Sequence, residues 1–216
     1  MHFAPQAVDN AFFASRRAML EPQLENLRQQ WSIPKTAVVF LFAGKFIPKK
    51  RPGDFIEALR KTRSAFPQVY GLMVGDGPQR LALEAFARGE NLPITFTGFL
   101  NQGKMPEAYT VADVLVLPSS IGETWGLVVN EAMASGLPAI VSDRVGCASD
   151  LIEEGKTGCL FPCGDTNRLA EAMSFFAEEP GRLKTMGHAA FQRIKGYSIE
   201  SAVEGTLEAL RAIVKD

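Results

Sequence analysis

Residues 112–143, with the sequence ADVLVLPSSIGETWGLVVNEAMASGLPAIVSD, decide the fold. Two short apolar runs stand near its ends, VLVLP at residues 114–118 and AIVS at Ala139–Ser142. Neither run alternates with polar residues, which is typical of strands covered on both faces. Between them, in GLVVNEAMASG, apolar residues recur at intervals of three and four, which predicts a helix. The stretch therefore predicts a strand, a helix and a second, parallel strand.

The same rhythm continues on both sides of this unit. Apolar runs predict further strands at residues 37–43, 69–75, 94–98 and 157–161, and DFIEALRKTRSAF, PQRLALEAFARGE and MPEAYTVA show helical spacing between the earlier strands. A short helix is predicted near residues 149–154, and three longer helices at residues 166–178, 181–195 and 198–214. The alternation predicts an α/β fold, a Rossmann-like, doubly wound parallel sheet of about six strands with right-handed crossovers. The common strand order for such a sheet is 3-2-1-4-5-6.

The first 36 residues do not follow this rhythm. They begin as an extended, proline-containing segment, and residues 14–30 then have the spacing of one amphipathic helix, which Pro22 would disturb. Such an arm is either a native N-terminal extension or part of a longer chain. We divide the sequence into an interdomain arm with its leading helix, residues 1–36, and a Rossmann-like domain, residues 37–216.

The composition excludes several classes of function. The 216 residues carry 23 Lys and Arg against 24 Asp and Glu, so no basic excess is present to hold nucleic acid or an anionic membrane. Cys147, Cys159 and Cys163 form no CxxC pair and lie far from both histidines, so neither a metal site nor a disulfide framework is predicted. These thiols are expected to be small buried hydrophobic groups. No signal peptide and no run of roughly 20 apolar residues is present, so a cytoplasmic location is expected.

The predicted site lies where the strand order reverses, because ligands of open α/β sheets bind there, beyond the carboxyl ends of the strands. In the expected order, the reversal falls between the first and fourth strands. The loop after the first strand, GKFIPKKR, offers Lys45 and Lys50. The loop after the fourth leads into a helix whose first amides, on Gly126, Leu127 and Val128, predict an anion site. Two cations and a helix start at one crevice fit a diphosphate.

Two carboxylates frame this anion site. Glu123 precedes the helix and Glu131 lies within it. A carboxylate repels phosphate but accepts hydrogen bonds from hydroxyl groups, so the combination predicts a nucleoside diphosphate sugar as the ligand. Surface glutamates and a KKR run are each more often structural, and it is their convergence at one edge of the sheet that favours a site.

Other motifs are weaker. The GDGP segment at residues 75–78 is first a strand-to-helix turn and only secondarily a ligand loop. Residues 98–104 begin like a phosphate-binding P-loop, but Met105 stands where Ser or Thr would hold magnesium. Arg80 replaces the third glycine of a dinucleotide-binding fingerprint, and that loop follows the second strand rather than the first. Trp125 is compatible with packing and with a wall of the sugar site.

Glu123 and Glu131 are separated by seven residues, and ETWGLVVNE resembles the E-x7-E signature of retaining GT-B glycosyltransferases of group 1, family 4. The blocks FAGKFIPKKRP, VGDGP, FTGFL, ADVLVLPS and EEGKTGCLF resemble other segments of that family in the same order, over nearly all of residues 38–161. PQAVDNAFF resembles the segment that joins the two domains of these enzymes. The resemblance implies the C-terminal, donor-binding half of a two-domain transferase.

The resemblance also assigns roles to individual residues. Lys50 matches the lysine that contacts the donor diphosphate, and Lys45 stands where an arginine is usual, which keeps the charge but loses bidentate geometry. Glu131 matches the glutamate that binds the ribose hydroxyls, and Glu123 the one that faces the transferred sugar. The predicted catalytic residues are therefore Glu123 and Lys50. The predicted donor-binding residues are Gly44, Lys45, Gly98, Phe99, Leu100, Thr124, Trp125, Gly126, Leu127, Val128 and Glu131.

Within that set, Gly126 and Leu127 match residues whose amides receive phosphate, and residues 98–100 match the loop near the base. Thr124 and Trp125 replace a frequent Pro-Phe pair. The family's GG-x-x-E segment after the fifth strand is here GCASD, residues 146–150, a departure that bears on donor selectivity.

The implied reaction transfers a sugar from a nucleoside diphosphate sugar to an acceptor hydroxyl with retention of configuration. No cofactor and no metal are expected. The implied partner is the N-terminal acceptor domain of the same enzyme, and any peripheral membrane association would come through that half. The isolated domain is expected to be inactive or nearly so. Two alternatives stay open, a GT-B sugar-nucleotide epimerase and a noncatalytic nucleotide-sugar-binding module.

Overall fold

A six-stranded sheet organises residues 2–214, the part of the chain that the computed structural model describes. The strands are β1 Val38–Ala43, β2 Val69–Val74, β3 Ile94–Gly98, β4 Val114–Leu117, β5 Ala139–Ser142 and β6 Gly158–Phe161. The helices are α1 Asn10–Leu20, α2 Leu24–Gln30, α3 Pro52–Arg63, α4 Arg80–Gly89, α5 Met105–Val111, α6 Leu127–Ala134, α7 Ala148–Leu151, α8 Thr166–Glu178, α9 Gly181–Ile194 and α10 Ile199–Val214. Short 3-10 turns lie at Glu21–Gln23 and Pro48–Lys50.

The strands are parallel and lie in the order β3-β2-β1-β4-β5-β6. The central strand β1 pairs on both sides, so that Phe40 lies opposite Gly71 of β2 and Val114 of β4. The order reverses between β1 and β4, and the loops that follow these strands therefore share one edge of the sheet. The predicted fold class and the expected strand order are both confirmed.

Helices cover both faces of the sheet, which explains why the strands are continuously apolar. All six residues of β1 are buried. Val39 and Leu41 belong to one hydrophobic cluster, which includes residues of α1, α2, α5, α6 and α9. Phe40 and Phe42 belong to the other, which includes residues of α3 and α8. Because side chains alternate along a strand, a strand between two such layers needs an apolar residue at every position.

The N-terminal segment forms two helices rather than one. Helix α1 begins at Asn10, where the Asp9 carboxylate accepts a hydrogen bond from the Phe12 amide at 2.8 Å and caps the helix. A 3-10 turn that contains Pro22 separates α1 from α2. The prediction of a single helix over residues 14–30 is therefore wrong in both its start and its continuity.

This N-terminal segment packs on the sheet. Phe13 of α1 is fully buried in the same cluster as β1. The buried guanidinium of Arg28 on α2 donates hydrogen bonds to the carbonyl oxygens of Val111 at 2.9 Å and Ala37 at 3.1 Å. It also forms an ion pair with Asp113 at 3.0 Å. These contacts tie α2 to the ends of α5 and β1.

The C-terminal helices lie close to their predicted bounds, and α9 ends at Ile194, one residue before the predicted end. Cys147 and Cys159 are buried, and burial raises the pKa of each thiol to about 12, as suits small hydrophobic groups. Cys163 is half-buried, so the expectation of a buried thiol is wrong for that residue. In residues 2–214, none of the helices has the length and apolar character that crossing a membrane requires.

Candidate functional site

The loops that follow β1 and β4 are joined at the edge where the strand order reverses. The carbonyl oxygen of Lys49 accepts hydrogen bonds from the Ser120 amide at 2.8 Å and from the Ser120 hydroxyl at 3.1 Å. The Lys50 ammonium forms an ion pair with the Glu123 carboxylate. The two loops singled out from the sequence therefore form one structural unit.

A cleft of about 740 Å³ opens at this edge, a volume within the range of small-molecule sites. Of the predicted donor-binding residues, its walls include Gly44, Lys45, Phe99, Leu100, Val128 and Glu131. The walls also include Ala43, Val74, Gly75, Asp76, Gly77, Gln102 and Met105, which the sequence had not assigned to the site. In the described part of the chain, the walls do not include Lys50, Gly98, Glu123, Thr124, Trp125, Gly126 or Leu127, whose donor contacts stay predictions.

Helix α6 begins beside this cleft, at Leu127, and Gly126 is its N-cap residue. Gly126 has a φ of 96°, a left-handed conformation that favours glycine, and a Cβ there would lie 2.8 Å from the Leu117 side chain. Helix geometry leaves the amides of the first turn without intrahelical carbonyl partners. Val128 and Glu131, on the same helix, line the cleft. The helix therefore presents a positive end and a carboxylate to the same region.

The GDGP turn contributes to the cleft because it lies against the loop after β1. A side chain at Gly75 would collide with the carbonyl oxygen of Gly44, and one at Gly77 would lie 2.6 Å from the carbonyl oxygen of Phe46. The turn is fixed further by hydrogen bonds from the Gly44 amide to Val74 at 3.0 Å and from the Phe46 amide to Asp76 at 2.9 Å. The adjacency of β2 to β1 in the expected strand order was the signal that would have placed this turn in the site.

The two predicted catalytic residues contact each other. The side chains of Lys50 and Glu123 are 18% and 12% exposed, so their ion pair is largely shielded from water. The stem of Lys50 lies 3.8 Å from the position that a Cβ on Gly44 would occupy, so the lysine lies beside a residue of the cleft wall. From the sequence, Lys50 was predicted to contact the diphosphate and Glu123 to face the transferred sugar. Their spacing in the sequence did not indicate that the two side chains pair.

Glu131 has an uncharged partner. The hydroxyl of Tyr109, on α5, donates a hydrogen bond to Glu131 Oε2 at 2.6 Å. Burial raises the pKa of the Glu131 carboxyl, and the hydrogen bond from Tyr109 lowers this pKa in part. Burial also raises the pKa of the Tyr109 hydroxyl well above its usual value, so this group stays a donor. Tyr109 was not predicted as a site residue, because nothing in the segment EAYTVA distinguishes it from a buried aromatic residue of the core.

Trp125 makes packing contacts. Its Nε1 donates a hydrogen bond to Asn130 Oδ1 at 2.8 Å, and its ring lies 6.1 Å from that of Tyr197. The Asn130 amide group in turn donates to the carbonyl oxygen of Gln6 at 3.0 Å. Trp125 therefore links the loop after β4 to the N-terminal arm and to the connection between α9 and α10, whereas its place in the sugar site stays a prediction.

The segment that departs from the family pattern supports the loop carrying Glu123. The Gly146 amide donates to the carbonyl oxygen of Glu123 at 3.0 Å, and the Cys147 amide donates to that of Trp125 at 3.0 Å. A side chain at Gly146 would collide with the carbonyl oxygen of Thr124. Glycine is therefore required at the first position of GCASD by close backbone approach.

Within residues 2–214, no group of three or more His, Cys, Asp or Glu side chains is arranged to hold a metal ion. The charged side chains that line the cleft are Lys45, Asp76 and Glu131. Asp76 is engaged by Arg80, whose guanidinium lies 3.1 Å from its carboxylate. Lys45 and the start of α6 are thus the groups suited to an anion, and Glu131 is suited to hydroxyl groups.

The model of the family described as Glycosyl transferases group 1 matches residues 23–193. Sulfoquinovosyl transferase SQD2 of Arabidopsis thaliana is 36% identical over 150 residues, which cover 68% of this chain and 29% of that protein. A D-inositol 3-phosphate glycosyltransferase of Kribbella flavida is 29% identical over 195 residues, which cover 85% of this chain and 46% of that protein. This chain therefore spans less than half the length of these curated relatives.

Solved structures share the fold. Sucrose-phosphate synthase (tll1590) from Thermosynechococcus elongatus matches 99% of this chain and 53% of its own, with a TM-score of 0.76 and 27% identity. Anabaena Alr3699/HepE, in a crystal structure of its complex with UDP, matches 95% of this chain and 56% of its own, with a TM-score of 0.81. The identity in the second case is 22%, and that likeness shows the fold alone.

Proposed function

The chain belongs to the glycosyl transferase group 1 family, and from this premise we propose that it is the donor-binding domain of a retaining glycosyltransferase. The reaction would transfer a sugar from a nucleoside diphosphate sugar to an acceptor hydroxyl. One observation carries the proposal: the cleft at the strand-order reversal brings Lys45, Val128 in the first turn of α6, and Glu131 around one volume of about 740 Å³. A cation and helix amides suit a diphosphate, and a carboxylate suits a ribose.

The nucleotide would lie along the cleft. Lys45 and the amides of the first turn of α6 bind the phosphates, and Glu131 accepts hydrogen bonds from the ribose hydroxyls. Phe99 and Leu100, after β3, provide apolar surface for the base. The Anabaena neighbour, whose crystal structure holds UDP, supports this class of ligand. The retaining outcome is proposed from the E-x7-E resemblance.

In the proposed reaction, the bond between the anomeric carbon and the diphosphate oxygen breaks, and the acceptor oxygen forms a bond to the same carbon. The proton of the acceptor hydroxyl is taken up by the departing diphosphate. Lys45, Lys50 and the α6 amides neutralise the charge that develops on the diphosphate, a role that requires no metal ion. Glu123 faces the sugar and stabilises positive charge that develops at its ring.

Catalysis would require a second domain that binds the acceptor. Because this chain spans less than half the length of its curated relatives, we propose that the acceptor site belongs to the remainder of a longer enzyme. The 216 residues alone would bind the donor and transfer no sugar, since an open cleft neither positions an acceptor nor excludes water.

Calorimetry tests donor binding by this chain. UDP, GDP and ADP are titrated in EDTA and in magnesium, and we expect weak binding of at least one nucleotide under both conditions. Lys45→Ala should weaken that binding. Lys35→Ala is the matched control, because Lys35 is an exposed lysine paired with Glu25 outside the cleft walls. The absence of binding by all three nucleotides, or binding that requires magnesium, would contradict the proposal.

A second measurement separates this function from its alternatives. In the complete protein, transfer to an acceptor releases free nucleoside diphosphate with the donor configuration kept in the product. Conversion of one sugar nucleotide into another would identify an epimerase, and binding without turnover would identify a noncatalytic module. Either of these outcomes would contradict the transferase assignment.

A further inference from the structure

We infer that Tyr109 is a positioning residue, whose hydroxyl holds the Glu131 carboxylate in the orientation that receives the ribose hydroxyls of the donor. The inference rests on the proposed function, because it takes Glu131 as the ribose-binding group. The hydrogen bond from the Tyr109 hydroxyl to Glu131 Oε2 is 2.6 Å long. Glu131 lines the cleft, whereas Tyr109 is fully buried behind it. Tyr109 would therefore act on the ligand through Glu131 and without touching it.

Tyr109 is itself held from several directions. Its ring packs edge to face against Phe13 of α1, with ring centroids 5.9 Å apart. The Tyr109 carbonyl oxygen accepts a hydrogen bond from Arg17 of α1 at 2.9 Å. A hydroxyl fixed in this way gives the Glu131 carboxylate a rigid reference point. The first helix of the chain thus supports a group in the cleft.

The backbone carbonyl group of Glu131 also accepts a side-chain hydrogen bond. The Ser135 hydroxyl donates to the carbonyl oxygen of Glu131 at 2.9 Å, and Arg17 donates to the carbonyl oxygen of Ser135 at 3.3 Å. Arg17 therefore contacts both Tyr109, which holds the Glu131 carboxylate, and Ser135, which directly follows α6. Glu131 is anchored at both its backbone and its side chain.

The hydrogen bond engages one of the two carboxylate oxygens of Glu131. In the described residues, no side chain besides Tyr109 donates a hydrogen bond to this carboxylate. Oε1 therefore keeps its full acceptor capacity for ribose hydroxyls. The last torsion of a glutamate is broad and poorly defined unless a partner fixes it. Fixing that torsion before binding lowers the entropy that the complex must lose.

The surrounding charges do not replace this contact. Lys45 and Asp76 line the same cleft from the loops after β1 and β2, and Arg17 lies on α1. Neither Lys45 nor Arg17 forms an ion pair with Glu131 in the described structure, where Arg17 pairs with Glu21, and the Asp76 carboxylate is itself paired with Arg80. The carboxylate therefore depends on Tyr109 to oppose the effect of burial on its pKa.

Tyr109→Phe removes the hydroxyl and keeps the buried ring. Calorimetry compares the best-bound of UDP, GDP and ADP with inorganic pyrophosphate, which has no ribose. We expect the variant to bind the nucleotide about 3- to 10-fold more weakly, the range of a single hydrogen bond, and to bind pyrophosphate as the unmodified chain does. Tyr70→Phe is the matched control, because the Tyr70 hydroxyl is part-buried and bonds to the Ser32 carbonyl oxygen away from the cleft. It should leave both affinities unchanged.

The pH dependence of nucleotide affinity distinguishes positioning from simple structural support. Protonated Glu131 loses acceptor strength, so nucleotide affinity falls as the pH drops through the pKa of Glu131. Since the Tyr109 hydrogen bond lowers this pKa, Tyr109→Phe raises it, and the loss of affinity should begin at a higher pH. If Tyr109→Phe only loosened the fold, it would weaken binding without changing this acid limb, the pH range over which nucleotide affinity falls. Placing 3-fluorotyrosine at position 109, with a more acidic hydroxyl that donates more strongly, should move the limb to lower pH and serves also if Tyr109→Phe does not fold.

Glu131→Ala separates failure of this inference from failure of the proposed function. If Glu131→Ala weakens nucleotide but not pyrophosphate, while the changes at position 109 leave affinity and the acid limb unmoved, the positioning role is overturned and the donor site stands. If Glu131→Ala leaves nucleotide affinity unchanged, the ribose assignment in the proposed function is overturned, and the inference falls with it.

Discussion

The two glutamates of the E-x7-E segment lie in opposite electrostatic settings. Glu123, on the loop after β4, faces a cation, since its carboxylate pairs with Lys50. Glu131, in α6, faces an uncharged hydroxyl, since its carboxylate accepts a hydrogen bond from Tyr109. The first pair can be exchanged, because a bound diphosphate would compete with Glu123 for the lysine. The second contact is fixed, because a buried hydroxyl has no competing ligand.

Under the proposed function, this difference would give two identical side chains different roles. A carboxylate whose cation is drawn to a diphosphate would be left with its negative charge near the reacting sugar. A carboxylate held by a hydroxyl keeps one orientation whether or not a ligand is present. Donor binding would thus release Glu123 for the chemical step and leave Glu131 as a constant ribose acceptor. Three predictions test this contrast, in order of decreasing effect.

The largest effect is expected on turnover, in the longer enzyme that we propose, which would include an acceptor domain. Glu123→Gln should lower the turnover number by about 10²- to 10³-fold, the scale seen when a group that stabilises transition-state charge is removed. Donor affinity should change little, because the amide oxygen still accepts a hydrogen bond from a sugar hydroxyl. Steady-state kinetics and calorimetry on the same preparation check both parts. An unimpaired turnover number would remove Glu123 from the reaction and break the contrast.

The next effect is expected on ligand selectivity, in this chain alone. Lys50→Ala should weaken nucleoside diphosphate and inorganic pyrophosphate alike, by about 1.5–3 kcal/mol, the range of a charge-assisted hydrogen bond. Glu131→Ala should weaken the nucleoside diphosphate and leave pyrophosphate affinity unchanged. Calorimetry with both ligands makes the comparison, and Lys35→Ala is again the control for loss of a positive charge. Identical responses of the two variants would show that the two ends of the site are not distinct.

The smallest effect is expected on the free energy of unfolding, which a substitution of Glu123 should lower and a substitution of Glu131 should raise. Glu123→Gln leaves Lys50 without a charged partner and should destabilise the fold by about 1 kcal/mol near neutral pH. Glu131→Gln removes a carboxylate whose pKa is raised by burial and keeps an oxygen for Tyr109, so it should stabilise the fold.

The pH window of that gain follows from linkage. Burial of the Glu131 charge opposes folding fully above the raised folded-state pKa, and this opposition disappears as the pH falls below the unfolded-state value. The stabilisation by Glu131→Gln should therefore be present near neutral pH and vanish in acid. Urea unfolding midpoints measured across that range check the prediction. If both variants change the free energy of unfolding in the same direction near neutral pH, the electrostatic difference between the two glutamates does not affect stability.

The fold was largely predictable from sequence because its strands lie between two layers of helices. The inner strands are apolar at nearly every position, whereas the edge strand β3 includes Thr95 and Thr97. The helices have apolar residues at intervals of three and four, so local spacing reports the layer to which a segment belongs. The start of α1 was missed for a local reason, since Asp9 is a capping residue outside the apolar pattern that defined the predicted helix. The break at Pro22 was foreseen as a disturbance, but not as a 3-10 turn between two helices.

The site was predictable as a place more than as a set of contacts. Strand order placed the loops after β1 and β4 together, and Lys45 and Glu131 do line one cleft. The GDGP turn lines the cleft because β2 lies beside β1, as the expected strand order implied. From its motif alone, the segment was interpreted first as a strand-to-helix turn and only secondarily as a ligand loop. Trp125 illustrates the limit, because its bond to Asn130 depends on the turn at Gly126 and its ring contact on Tyr197, which lies far along the chain between α9 and α10.

By itself, the sequence determined the parallel α/β class, the loops that carry charge and the E-x7-E spacing, because these follow from burial periodicity and local order. The tertiary structure decided that Lys50 pairs with Glu123 and that Tyr109 holds Glu131. These partners come from different elements, and their side chains meet through the packing of α5 and α6 against α1 and of one loop against another. Local periodicity indicates which face of an element is buried. Which atom a buried carboxylate contacts depends instead on how separate elements pack.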